Sequence, residues 1–280
     1  MKKQLLVFAA LVAAVTMITA CDKNKDNGPD PVEMTELWMV EKLEAQDAAL
    51  STTTFAYNDN HSLALITLSD GSKTEFTYDT EGNLIKSETY KMVDGVKSVT
   101  ASKSFEYDGN KIIAVQMENK QTTTLVYTLN DNGLPAEYTL ILNASNPLVE
   151  DKFEYEYDSK GRMTSWSRKR YFNGAFQPPM PSEQSGNTFK YDEKNSIVHN
   201  GMLPGWYFNL YNITGGYRLF PVNNMIETNS VGGTFGGKVE YSLTYNENDY
   251  PTESGILNSA GEKIPNSTYK ITYKVVEVPK

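Results

Sequence analysis

The sequence predicts an all-β protein built as an antiparallel meander of repeated hairpins. Three observations predict this class: a pair of apolar or aromatic residues separated by one spacer recurs along the chain, a polar turn follows each pair, and a second strand-like run follows most turns. Each copy ends in a tyrosine, which we call an anchor tyrosine. The anchor tyrosines are Tyr57, Tyr78, Tyr107, Tyr127, Tyr157, Tyr191 and Tyr245.

The N-terminus predicts export and a lipid anchor. Lys2 and Lys3 precede an apolar run over residues 5–15, which suits a signal peptide and is too short to span a membrane. The next residues, Ile18-Thr19-Ala20-Cys21, resemble the lipobox of bacterial lipoproteins. That resemblance implies cleavage of residues 1–20 and acylation of Cys21, which makes the membrane a partner. The alternative is an ordinary secretory signal with Cys21 as a stray thiol.

Residues 21–32 predict a flexible tether because they are polar and contain Gly28, Pro29 and Pro31. Their charged start resembles the export tags of surface lipoproteins of the Bacteroidetes type, so we expect an outer-membrane lipoprotein of the cell envelope, periplasmic or surface-exposed. Cys21 is the only cysteine, so no disulfide supports the body. We predict one β-repeat domain over residues 33–280, held by its own core.

Residues 34–50 fit either a short helix or a strand. Their Glu, Leu, Met, Lys and Ala content favours a helix. Leu37, Met39, Leu43 and Ala45, however, alternate with polar positions, which is the period of a half-buried strand. We predict a strand that leads into the first repeat.

The repeat itself predicts one aromatic face and a set of tight turns. Phe76 and Tyr78 are two residues apart and therefore point to the same face of a strand, where rings of adjacent strands pair and fill a core. Asp79 then starts a turn through its side chain. Gly82, Gly133 and Gly161 occupy the turn position that requires positive φ. The tyrosine spacing becomes irregular over residues 172–237, which predicts inserted loops there.

Two segments resemble the YD-repeat family, the β-shells of Rhs and teneurin proteins. They are Tyr157-Asp158-Ser159-Lys160-Gly161-Arg162 and Tyr78-Asp79-Thr80-Glu81-Gly82-Asn83. The chain also resembles uncharacterised Bacteroidetes-type lipoproteins built from such hairpins. The resemblance covers roughly residues 50–250, and it implies no shared catalytic residues. The chain is too short for the closed shell of the toxin-type members. We predict about a dozen strands in a strongly curved, half-barrel-like sheet, with a closed barrel or a sandwich as the alternative.

Composition and motif content argue against several functions. The net charge of −9 argues against nucleic acid and against anionic lipid surfaces. The two histidines, His61 and His199, have no Cys/His cluster around them, so zinc lacks ligands. The glycine-rich run that ends at Lys238 continues with Val239, where a phosphate loop needs Ser or Thr. We expect no cofactor, no metal and no catalytic residue, and therefore no enzyme.

Aromatic residues in the irregular region are the candidate ligand-binding residues. Trp206, Tyr207, Tyr211 and Tyr217 lie among glycines, and Trp166 ends a repeat strand beside three basic residues. Rings on glycine-rich loops stack on sugar faces or anchor a protein partner. The alternative is that these rings plug the open end of the sheet as core.

These features favour a non-enzymatic binding or scaffold lipoprotein that recognises a glycan or an envelope protein. One alternative is an envelope carbohydrate hydrolase that uses a carboxylate pair, although the sequence selects no pair. The other is a purely structural component of a surface assembly.

Overall fold

The computed structural model describes residues 33–47, 51–142, 149–177, 186–198, 202–208, 223–231 and 237–280. The predicted signal peptide and tether, with Cys21, lie outside these residues. The described part contains one short helix, a 3₁₀ turn (Pro265–Ser267) and seventeen strands, more than the expected dozen. The strands are β1 (Met34–Ala45), β2 (Thr53–Tyr57), β3 (Leu63–Leu68), β4 (Lys73–Tyr78), β5 (Leu84–Val93), β6 (Val96–Asp108), β7 (Lys111–Glu118), β8 (Gln121–Leu129), β9 (Pro135–Leu142), β10 (Val149–Tyr157), β11 (Met163–Phe172), β12 (Ala175–Gln177), β13 (Gly186–Tyr191), β14 (Met225–Val231), β15 (Lys238–Tyr245), β16 (Pro251–Ile256) and β17 (Tyr269–Pro279), and the helix is α1 (Gly205–Phe208).

The strands form a closed antiparallel barrel. Neighbours in sequence pair around the sheet, and β12 is a side hairpin because β11 also pairs with β13. The last strand then pairs with the first, from Met34↔Pro279 to Ala45↔Tyr269. Since β1 also pairs with β2, each of the sixteen other strands has two neighbours. The half-barrel expectation is wrong, and the closed-barrel alternative is correct. Closure removes the unpaired edges that a half-barrel would expose.

Residues 34–45 form a strand, as the alternation predicted, and not a helix. The strand prevails because both of its edges are paired, along β17 over its whole length and to β2 at Leu43↔Thr53. Its first half extends beyond the barrel wall as a two-stranded ribbon with β17. There Trp38 stacks on Tyr250 at 4.8 Å between ring centroids.

The inner face of the barrel is mainly apolar, and β1 to β8 with β17 enclose a filled core. One cluster combines inward side chains of β1 to β8 and β17 with residues 197–198 and 202–207, which enter the barrel and which we call the plug. Ile112, Leu125 and Tyr127 are at most 1% exposed within it. A smaller cluster of Met163, Phe189 and Met225 packs along the part of the wall formed by β11 to β14. The core therefore lies inside the ring of strands.

The outer face is charged and rich in ion pairs between side chains. Lys169 pairs with Glu154 at 2.6 Å, and Lys190 pairs with Glu227 at 2.9 Å. Strands β5 to β7 also expose apolar side chains, namely Met92, Val93, Val96, Val99, Val115 and Met117. A barrel that faces lipid carries the opposite pattern, with an apolar outer band and a polar interior. The outer face is therefore suited to water.

Within the described residues, no helix is both long enough and apolar enough to cross a membrane.

The predicted turn chemistry is confirmed at the ends of the repeat strands. Asp79 Oδ1 accepts hydrogen bonds from the backbone N–H groups of Glu81 and Asn83, at 2.9 and 2.8 Å. Gly82 has φ +86°, and Gly133 and Gly161 have φ +72° and +78°. These turns define one end of the barrel, which we call the turn end. His61 also lies in such a turn, and His199 lies outside the described residues.

Candidate functional site

The plug positions the strongest candidate residues of the irregular region. It docks on the wall through the backbone N–H of Leu63, which donates to the carbonyl of Met202 at 2.7 Å. A single helical turn follows, closed by the N–H of Tyr207 donating to the carbonyl of Pro204 at 2.8 Å. This turn directs Trp206 and Tyr207 into the barrel, so they are not presented on an exposed loop.

Both rings pack against aromatic residues of the inner face and are 5% exposed. The Trp206 ring lies 5.3 Å from the rings of Phe105 and Tyr127, and the Tyr207 ring lies 6.0 Å from Phe76. The edge-to-face angles of 67° for Phe105 and 86° for Phe76 are those that the ring quadrupoles favour. Most of the surface of each ring therefore contributes to the core.

One edge of Trp206 borders a pocket of about 280 Å³ at the turn end. The pocket is lined by Asn60, Ser62, Tyr78, Gly82, Asn83, Tyr107, Leu203, Pro204 and Trp206. None of these side chains carries a formal charge. The Tyr107 ring is the exposed aromatic surface of the pocket, at 41% exposure.

Three polar groups of the pocket are available to a ligand. The Asn60 carbonyl accepts from Ser62, but the Asn60 amide N–H groups donate to nothing in the described chain. The Asn83 amide N–H donates to Asp79 at 3.0 Å, which leaves the Asn83 carbonyl as an acceptor. The indole N–H of Trp206 also has no acceptor among the described residues. Donors, an acceptor and an aromatic face suit a neutral hydroxyl-rich ligand.

The tyrosines of the site stay protonated near neutral pH. Burial, together with the charge of Asp79, raises the pKa of Tyr107 to about 12. Burial also raises the pKa of Tyr207 to about 12, although a hydrogen bond with Ser87 opposes the shift. Burial likewise raises the pKa of Tyr78 above its usual range. The phenols therefore act as neutral hydrogen-bonding groups and not as phenolate bases.

The other predicted residues lie elsewhere. Tyr211 and Tyr217 lie outside the described residues. Trp166 lies on the inner face of β11 and contacts Phe153 at 5.7 Å between centroids. A row of rings through Phe153, Tyr138 and Tyr127 connects Trp166 to Trp206. The structure thus joins Trp206 and Tyr207 directly, and it places Trp166 at a separate position along the same wall.

Sequence reasoning missed the turn residues of the pocket. The sequence patterns do not single out Asn60 and Asn83, which lie in polar turns, or Tyr107, which is one of the anchor tyrosines. The signal that they offered was the crowding of amides at one predicted end of the sheet, which turn chemistry alone also explains. Among the described residues, no group of three His, Cys, Asp or Glu side chains could hold a metal ion.

Comparisons with known proteins identify no family. No family model matches the chain, and no curated protein matches it. A solved structure described as a porin-like protein from Bacteroides uniformis is similar over 88% of this chain and 97% of that chain, with 13% identity and a TM-score of 0.37. Similarity at that level establishes neither a shared fold nor a shared function, so the barrel rests on the strand pairings themselves.

Proposed function

We propose that this protein is a lipid-anchored protein of the cell envelope, of the YD-repeat-like type, which binds a neutral glycan without catalysis. The single observation that supports binding is the uncharged pocket beside Trp206, with an exposed ring and unpaired amide and indole groups. Sugar hydroxyls match these donors and acceptors, and the apolar face of a sugar ring matches Tyr107. No carboxylate lines the pocket, so the two-carboxylate chemistry of a glycosidase has no groups there.

The anchor proposal rests on the lipobox-like residues 18–21, and the entry of β1 into the barrel sets the orientation that such an anchor would impose. The carbonyl of Val40 accepts a hydrogen bond from the Tyr57 hydroxyl at 2.6 Å, which places this part of β1 at the turn end. The ribbon that precedes Val40 projects from the same end. A tether over residues 21–32 would therefore join the molecule on the side of the pocket, and a lipid on Cys21 would direct the pocket towards the anchoring membrane.

The binding test uses full-length protein purified in detergent and an array of neutral and charged glycans. Asn60→Asp keeps the oxygen that Ser62 needs but removes the amide donors and adds charge to the pocket. We expect it to weaken binding of a neutral glycan at least tenfold. Asn132→Asp is the matched control because Asn132 holds the same turn position in an exposed turn away from the pocket. Absence of any neutral glycan ligand, or equal effects of both variants, contradicts the binding proposal.

Lipid attachment has its own test. Cells expressing the full gene are grown with radiolabelled palmitate, and the protein is isolated. We expect label in the wild-type protein and none in Cys21→Ala. Label that persists in Cys21→Ala, or its absence from the wild type, contradicts the anchor without affecting the pocket.

A further inference from the structure

The inner face of β11 presents an aromatic residue followed by two cations. Trp166, Arg168 and Arg170 alternate along the strand, so they share the inner face at intervals of about 6.6 Å. Their side chains are only partly buried, with Arg168 26% and Arg170 37% exposed. Solvent therefore reaches the inside of the barrel at this position.

Both guanidinium groups converge on one buried carboxylate of β10. Arg170 binds Asp151 in a bidentate manner, with Nε to Oδ1 at 2.7 Å and Nη2 to Oδ2 at 2.9 Å. Arg168 Nη2 adds a third bond to Oδ2 at 2.7 Å. The Asp151 side chain is 5% exposed. Two cations therefore share one anion, which leaves a net positive charge on the inner face.

The second arginine has unused hydrogen-bonding capacity. Arg168 Nε is buried without a partner, and the Nη1 groups of both arginines donate to no acceptor in the described chain. A single bidentate arginine already neutralises a buried carboxylate, whereas an additional partly desolvated cation costs free energy. An anion from solution would compensate the excess charge and accept from the free Nη1 groups.

The neighbouring rings indicate what kind of anion fits. Trp166 and Phe153 are half-buried, and their centroids lie 5.7 Å apart at 51°. In the strand register Phe153 is opposite Arg168, and Asp151 is opposite Arg170. A ligand that covers the rings therefore carries its negative charge about one residue pair away, beside the guanidinium groups. A pyranose ring with a carboxylate substituent has this arrangement of an apolar face and an anion.

We propose that Trp166, Phe153, Arg168 and Arg170 form a binding site for a carboxylate-bearing sugar, a uronic acid. The ring stacks on the indole, and the carboxylate binds Arg168 and Arg170, with Asp151 holding both guanidinium groups in position. This site is distinct from the uncharged pocket beside Trp206, and it stands whether or not that pocket binds a neutral glycan.

The experiment measures binding of D-glucuronate, D-glucose and acetate to full-length protein by calorimetry. We expect glucuronate to bind at least tenfold more tightly than either probe, because glucose lacks the carboxylate and acetate lacks the ring. Arg168→Gln should weaken glucuronate binding at least tenfold while Asp151 keeps its bidentate partner Arg170. Lys169→Gln is the matched control, since it removes the same charge one residue away on the outer face. Its glucuronate affinity should equal that of the wild type.

A second measurement needs no variant. Saturation of the aromatic protons of the wild-type protein should transfer to the ring protons of bound glucuronate. Excess inorganic phosphate should abolish this transfer, because phosphate competes for the same two arginines. Equal affinity for glucose and glucuronate, equal losses in Arg168→Gln and Lys169→Gln, or no transfer to the sugar ring would each overturn the proposal. Tighter binding of phosphate than of glucuronate would also overturn it, since the site would then be one for an inorganic anion.

Discussion

At the residue scale, the anchor tyrosines contribute a hydrogen bond as well as a ring. Tyr78 donates its hydroxyl to the carbonyl of Leu63 at 2.9 Å, and Tyr107 donates to Leu84 at 2.9 Å. In both cases the acceptor is the first residue of the preceding strand. Tyr157 and Tyr191 repeat the bond with Pro135 and Met163, each at 2.8 Å. This bond explains why the second aromatic position of the motif is tyrosine and not phenylalanine.

Tyr78→Phe tests this role. The substitution keeps the ring but leaves the Leu63 carbonyl without its donor, so the free energy of unfolding should fall by about 1 kcal/mol. Tyr90→Phe is the control because its hydroxyl donates to Glu75, whose half-exposed carboxylate water can solvate. Denaturant titration measures both variants. An equal or smaller loss in Tyr78→Phe would contradict the role.

Gly82→Ala tests the turn conformation. Nothing lies within 4 Å of an added Cβ, so any cost comes from φ +86° alone. We expect a loss of about 1 kcal/mol in the free energy of unfolding. Thr80→Ala, in the same exposed turn, should change stability by less than about 0.5 kcal/mol. Equal effects of the two substitutions would show that the backbone conformation is not the constraint.

The lowered pKa of Lys103 predicts that the free energy of unfolding depends on pH. Burial lowers the pKa of this inner-face lysine to about 7, although the charge of Glu118 opposes the shift. The unfolded chain therefore binds more protons than the native state from about pH 7 to 10.5, and stability should rise with pH across that window. Lys103→Met should remove a slope of at most about 1.4 kcal/mol per pH unit and stabilise the protein at pH 7. Exposed Lys111→Met should leave the slope in place, and an unchanged slope in Lys103→Met would refute the assignment.

Residue-scale features were predictable where local chemistry determines them. Gly82, Gly133 and Gly161 adopt the predicted positive φ because a side-chain-capped turn requires it at that position. His61 and Asp249 hold the same position, with φ +65° and +60°, and residue type alone did not indicate this. The hydroxyl bonds of Tyr78, Tyr107, Tyr157 and Tyr191 were not predictable either, because their acceptors are backbone carbonyls of another strand.

At the element scale, repeat strands were predictable and the plug was not. β4 and β5 follow from the alternation of residues around the turn at Asp79. The four residues of α1 are too few to show a helical period. The sequence therefore predicts Trp206 and Tyr207 on a loop. Their burial fits the alternative, in which these rings fill the sheet as part of the core.

Trp206→Ala tests the plug as an element of the core. The substitution removes ring contacts with Phe105, Tyr107, Tyr127 and Tyr207 and should cost about 3–5 kcal/mol. Trp38→Ala removes a tryptophan of the ribbon that is only half-buried. It should cost less than half as much, as judged by thermal or denaturant unfolding. Comparable losses would mean that the plug contributes little to the core.

At the scale of the whole molecule, the sequence indicated a curved sheet but could not indicate closure. Curvature follows from many short strands with one apolar face. Closure depends on β1 pairing with β17 across almost the entire chain, and no local pattern records which strand meets the first one. The mainly apolar interior and the ion-paired exterior then follow from the alternation within each strand.

The pairing of β1 with β17 is the central claim, and cross-linking tests it directly. Lys42 and Thr272 are register partners on the outer face. In full-length protein with Cys21→Ser, the pair Lys42→Cys and Thr272→Cys should give an intramolecular product with a short bifunctional maleimide. The pair Lys42→Cys and Lys169→Cys, on β1 and β11, should give none. A closed barrel predicts that the first pair cross-links quantitatively in folded protein, and an unlinked first pair would contradict closure and restore the open half-barrel.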